Sequence, residues 1–121
     1  MRACVGCVAL LAAVAAGCGG EETAGQPLGG VAEVVMRNQR FQPATVTIGA
    51  GEIVRWTNAD PHHHTVTSGA GSLAPGAGVR FDQEVQPGDS FEVTFDSPAT
   101  QPIFCRIHEA LGMTGTIVIG P

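Results

Sequence analysis

Apolar and polar residues alternate with a period of two along much of the chain beyond residue 30. In VRFDQEV the apolar Val79, Phe81 and Val85 are spaced by Arg80, Asp82 and Glu84; in FEVTFD, Phe91, Val93 and Phe95 are spaced by Glu92 and Thr94; Val46 and Ile48 do the same in TVTIG. A strand turns successive side chains to opposite faces, so each segment predicts a strand with one face buried. GAG, PGAG and QPGDS between them supply turn chemistry, and no stretch after residue 20 carries the 3.6-residue pattern of an amphipathic helix ten residues long. The predicted strands are 31–37, 45–48, 53–58, 64–67, 79–85, 91–95, 103–106 and 116–119. Eight short strands in this length predict an all-β protein, an eight-stranded antiparallel Greek-key sandwich or barrel.

The pattern breaks at the N-terminus. Residues 1–17, MRACVGCVALLAAVAAG, open with one positive charge at Arg2, continue as an apolar run and end in small residues, which predicts a secretory signal peptide. The run is too short to span a bilayer as a settled helix. AAGC followed by GGEE resembles the lipobox of bacterial lipoproteins, departing from it in having Ala15 where Leu is commonest. That resemblance implies a lipidated Cys18 and attachment to a membrane surface, since each buried methylene contributes about 0.8 kcal/mol. Residues 18–30 then form the lipidated cysteine and a flexible Gly-rich linker, and 31–121 a single domain.

Composition narrows the chemistry. Of four cysteines, Cys4 and Cys7 leave with the signal and Cys18 carries lipid, so Cys105 alone remains in the domain and a disulfide framework is excluded. A lone thiol exported to an oxidising compartment is a liability unless something occupies it, and a metal would do so. Without the signal, five Arg and no Lys face eleven Asp plus Glu, six net negative charges with His neutral. No basic stripe exists to neutralise phosphates, so nucleic acid is excluded as a partner.

Residues 103–113, IFCRIHEALGM, gather Cys105, His108 and Met113 from a chain with four Cys, four His and three Met. Met113 shares strand parity with Ile117 and Ile119, and Cys105 with Ile103, which puts both sulfurs on the inner side of two strands joined by the turn that holds His108. The other histidines lie in DPHHHTVTS. There His64 shares the parity of Val66 and faces inward, while His63 points out and His62 lies further back in the loop; His62 or His63 is the alternative ligand. A thiolate, two imidazoles and a thioether suit both oxidation states of copper, and a His2Cys site with a weak axial Met is the blue copper arrangement. Zinc has no use for the thioether, and one cysteine cannot hold an iron–sulfur cluster.

With FQPATVTIGAGEIVRWTNAD, HHHTVTS and IFCRIHEALGMTGTIVI in place, the domain resembles the cupredoxins, type 1 blue copper proteins of the plastocyanin, pseudoazurin and halocyanin kind. The resemblance spans residues 31–121 and implies one copper ion held by His64, Cys105, His108 and Met113. It also implies a hydrogen bond from the Thr65 backbone to the Cys105 sulfur, and electron exit through His108 within an apolar docking patch for which Ala110 and Leu111 are the candidates. Two departures bear on that surface: relatives often have Pro directly before the first ligand His, where this chain has His63, and Pro before the second, where it has Ile107.

The expected function is one-electron transfer by a membrane-tethered monomer, periplasmic or at the cell surface, between redox proteins such as cytochromes or copper oxidases and reductases. Four protein donors leave no open position for a substrate, which argues against an enzyme. Copper binding or delivery without an electron-transfer role is the alternative, and the HHH run is its only hint; His62 and His63 read better as a solvated loop.

Overall fold

Strand β4, Glu52–Asn58, buries every second residue: Val54 and Trp56 point into the domain while Ile53, Arg55 and Thr57 are half-exposed. The same alternation buries Ala32, Val34 and Met36 of β1, Val31–Met36, and Val46 and Ile48 of β3, Thr45–Gly49. A computed structural model describes residues 30–121; the segment expected as a signal peptide (1–17), Cys18 and nearly all of the segment expected as a linker lie outside the described residues. The remaining strands are β2, Phe41–Gln42; β5, His64–Ser68; β6, Asp82–Val85; β7, Ser90–Phe95; β8, Ala99–Phe104; and β9, Thr114–Gly120, the last preceded by a 3-10 helix at Glu109–Leu111.

The strands form two sheets, ordered β2-β1-β4-β7 and β3-β9-β8-β5-β6. β1 runs parallel to β4 and β9 parallel to β3, while the other neighbours are antiparallel. Between the sheets Trp56, fully buried, has Phe81 and Phe91 each 6.1 Å from its ring. Burial of side chains this large contributes about 1.5–3 kcal/mol each. The result is the expected all-β sandwich, with nine strands in place of eight and with two parallel pairings, β1 with β4 and β9 with β3, where antiparallel pairing throughout was expected.

The extra strand and the two largest displacements of a predicted segment have local causes. β2 is two residues long, too short to show a period, and is recruited by pairing with Val35 and Met36. The segment expected as 79–85 starts at Asp82, because residues 74–79 close two turns (Ala77 N–H to Ala74 carbonyl, 3.2 Å; Val79 N–H to Gly76 carbonyl, 3.1 Å) and leave Val79 exposed rather than in the core. The segment expected as 103–106 is longer on its N-terminal side, beginning at Ala99, and stops at Phe104, so Cys105 follows the strand instead of lying in it.

What positions the site is where β5 and β8 part. Their ladder has just two register pairs, Thr67 with Phe104 and Ser68 with Ile103. Beyond these the strands diverge, and side chains take over the backbone groups: the Thr65 N–H donates to Cys105 Sγ at 3.3 Å, and the Arg106 N–H to Thr65 Oγ1 at 2.8 Å. Below the opening lies the closed loop 105–113, with the Cys105 N–H bonded to the Met113 carbonyl at 3.0 Å. Gly112, at φ +84° in the left-handed region that favours glycine, ends the 3-10 helix and turns the chain into β9.

Candidate metal centre

His64 is the first residue of β5 and is fully buried, held in register opposite Val85. Cys105 is also fully buried and is the free cysteine of the described residues. His108 caps the 3-10 helix and is half-buried; its carbonyl accepts the N–H groups of Leu111 and Met113 at 2.9 and 3.3 Å, which folds the loop around it. Burial, then the neighbouring His64 and His62 rings, hold the His108 imidazole below the usual histidine pKa, so the neutral, metal-binding form prevails at neutral pH.

Three donor atoms from these residues converge. His64 Nδ1 and His108 Nδ1 are 3.1 Å apart, and Cys105 Sγ lies 3.7 Å from the second and 3.9 Å from the first. The point equidistant from all three is about 2.1 Å from each, within the roughly 2.0–2.3 Å at which imidazole nitrogen and thiolate sulfur bind a first-row metal ion. Two borderline nitrogens and one soft sulfur in a trigonal set fit copper. Met113 is fully buried, and its backbone bonds the Cys105 N–H and the His108 carbonyl.

Of the sequence-predicted residues, His64, Cys105 and His108 are thus brought together, Met113 is adjacent, and the Thr65 to Cys105 hydrogen bond is present. His64 faces inward as expected and is fully buried, whereas His63 is exposed and lies 3.3 Å from Glu84. His62 is exposed too, yet its ring sits 5.4 Å from those of both His64 and His108, with Nε2 against Gln39 Nε2 at 2.8 Å. Ala110 and Leu111 are exposed on the 3-10 helix next to His108.

Sequence reasoning missed Asp60. Its carboxylate is buried against the far nitrogen of His64, with Oδ2 2.7 Å from Nε2. Burial works to raise its pKa, but the Gln39 and Asn38 N–H groups and His64 outweigh it and hold the carboxyl at about 2. The one signal was its place four residues before His64, at the turn that starts the crossover from β4.

A thiol between two imidazoles at one end of an all-β sandwich defines a blue copper protein of the electron-transfer class. The chain belongs to the plastocyanin/azurin family of copper-binding proteins, whose sequence profile matches residues 31–120. It is 35% identical over 83 residues to plastocyanin from Scenedesmus fuscus, covering 65% of this chain and 85% of that protein. It is 30% identical over 114 residues to amicyanin-alpha from Methylorubrum extorquens, covering 92% of this chain and 90% of that one. For the chloroplastic plastocyanin of Tetradesmus obliquus, 32% identical, the match spans 57% of its length. Among solved structures, a purple cupredoxin from Nitrosopumilus maritimus shares the fold with a TM-score of 0.64 at 21% identity over 73% of this chain and 98% of that one. A mutant of amicyanin in its Cu(I) form does so with 0.63 at 19% identity, over 80% and 94%.

Proposed function

We propose that His64 Nδ1, Cys105 Sγ and His108 Nδ1 hold one copper ion, with the Met113 thioether as weak axial donor, in a protein that carries single electrons between redox proteins such as cytochromes or copper oxidases and reductases. The donor triangle carries this reading. Bound copper supplies a Cu(I)/Cu(II) couple. The chain supplies a site that suits both states without rearrangement: His64 and Cys105 are locked in the core, and the Thr65 N–H fixes the sulfur. A site filled by protein donors supports a carrier rather than an enzyme. His108, the more exposed ligand, is the electron's exit, with Ala110 and Leu111 as the apolar contact for a partner.

The protein is further proposed to be exported to the periplasm or cell surface and held on the membrane by lipid on Cys18, as a monomer. Mass analysis of wild type and Cys18→Ser from membranes tests the anchor, which the substitution should abolish. Copper delivery is the second reading, favoured by the exposed His62 ring beside both ligand histidines. Mixing the reduced, copper-loaded protein with oxidised cytochrome c separates the two. Electron exchange with copper retained supports the carrier; copper passed to a chelator without electron exchange supports delivery.

A further inference from the structure

Asp60 lies outside the donor triangle, behind His64, and is 7% exposed. A carboxylate there needs a reason, since a buried charge is costly unless it is fully hydrogen-bonded. Its two oxygens meet three nitrogens: Oδ1 accepts the Asn38 N–H at 2.8 Å, Oδ2 accepts the Gln39 N–H at 3.0 Å, and Oδ2 also lies 2.7 Å from His64 Nε2. Asn38 and Gln39 form the tip of the β1–β2 hairpin, with φ of 57° and 55°. Glutamine is uncommon in the left-handed region, yet that conformation is what aims two successive N–H groups at one carboxylate. Asp60 is itself held from behind, its own N–H donating to Asn58 Oδ1 at 2.8 Å, while Asn58 Nδ2 donates to the His62 and Val85 carbonyls at 2.9 and 3.0 Å.

A neutral imidazole carries one ring proton, and an ionised carboxylate can only accept. The short Asp60 contact therefore keeps the proton of His64 on Nε2 and leaves the Nδ1 lone pair facing the triangle. We propose that Asp60 is a positioning residue for copper: it fixes the tautomer and ring plane of His64, and its buried negative charge, pinned by the hairpin tip, stabilises Cu(II) over Cu(I). The inference rests on the copper reading above. Two consequences differ in kind. The hydrogen bond governs how well the site holds the metal, since carboxylate support of a ligand histidine is typically worth 10–100-fold in metal affinity. The charge governs the redox balance, because a nearby anion favours the more positive metal state and is weakly screened when buried.

The test uses the full chain as wild type, Asp60→Asn, Asp60→Ala and Asp60→Glu, each loaded with copper, with visible spectrum, copper affinity by chelator competition, and oxidised-to-reduced ratio in a fixed redox buffer as readouts. Asp60→Asn keeps an acceptor for His64 but removes the charge. It should stay blue and shift the ratio at least tenfold toward the reduced form, equivalent to about 59 mV for one electron. Asp60→Ala should add a 10–100-fold loss of copper affinity, and Asp60→Glu should hold the ratio within threefold of wild type. Blue Asn and Ala variants with wild-type ratio and affinity would overturn the role of Asp60 while leaving the copper reading intact; a colourless wild type would overturn the copper reading itself. Nitrogen NMR of the wild-type Cu(I) form needs no variant to fold: the His64 proton belongs on Nε2, and a proton on Nδ1 contradicts the inference.

Discussion

Each donor at the copper end is held by a backbone group or a buried polar partner. Cys105 is fixed by the Thr65 N–H, His108 by the loop bonds to its carbonyl, and His64 by Asp60. Asp60 also makes a measurable contribution in the copper-free protein. Its carboxyl is held at about 2 against a reference of 3.8, so it adds stability that is fully present above about pH 4 and is lost as pH falls toward about 2. The urea midpoint of the apo protein is expected to drop across that window more steeply than that of Asp60→Asn; parallel curves contradict it. Asp82 and Glu109 also have lowered values but contribute alike to both proteins. At this scale the convergence of the Cys105 sulfur with the His64 and His108 imidazoles was legible, because soft and borderline ligand types at short spacing are rare by accident. Asp60 was not, since a loop carboxylate has no period to betray the direction of its side chain.

Strands and turns decide where those residues meet. Alternation exposed the half-buried strands, and inward parity found Ile103, Cys105, Met113, Ile117 and Ile119, all of which are buried. It failed where hydrogen bonding rather than side-chain pattern sets the boundary: Val79 has the right parity but belongs to a run of turns, and Pro102 inside β8 disguised the strand's first half. Nor could parity describe β5, where all five residues are buried and Ser68 Oγ accepts the N–H groups of Arg80 and Phe81. Close packing of β9 makes a second prediction. A Cβ on Gly115 would stand 2.8 Å from the Ala44 carbonyl oxygen and 3.3 Å from Ile103, so Gly115→Ala should cost about 1–3 kcal/mol by denaturant unfolding; an unchanged midpoint contradicts the close approach. The 3-10 helix makes a third. Leu111 is 67% exposed, and Leu111→Glu should slow electron exchange with a physiological partner several-fold while leaving the visible spectrum unchanged; equal rates would remove Leu111 from the docking surface.

In the whole molecule the candidate metal site draws on segments far apart in sequence. His64 opens β5, Cys105, His108 and Met113 come from the β8–β9 connection, and Asp60 on the β4–β5 crossover ties His64 to the β1–β2 hairpin of the other sheet. A domain of this size buries only about two thirds of its unfolded surface, and Cys105 has no disulfide partner among the described residues. A ligand that binds only the folded form therefore adds directly to a thin margin, by about 4 kcal/mol at a thousandfold excess over its dissociation constant. Copper loading should raise the melting temperature and a chelator should reverse the gain; equal melting with and without copper would mean the site does not bridge these segments. The fold class and its copper end were legible from spacing and alternation, whereas the cross-sheet tie was not, because it runs through loops. The most direct test of the central claim is to titrate the purified apo protein with Cu(II) while recording its visible spectrum. One copper between Cys105 and two imidazoles predicts an intense blue sulfur-to-copper band that grows linearly and saturates at one equivalent. A colourless protein, or a band that saturates at any other ratio, contradicts it.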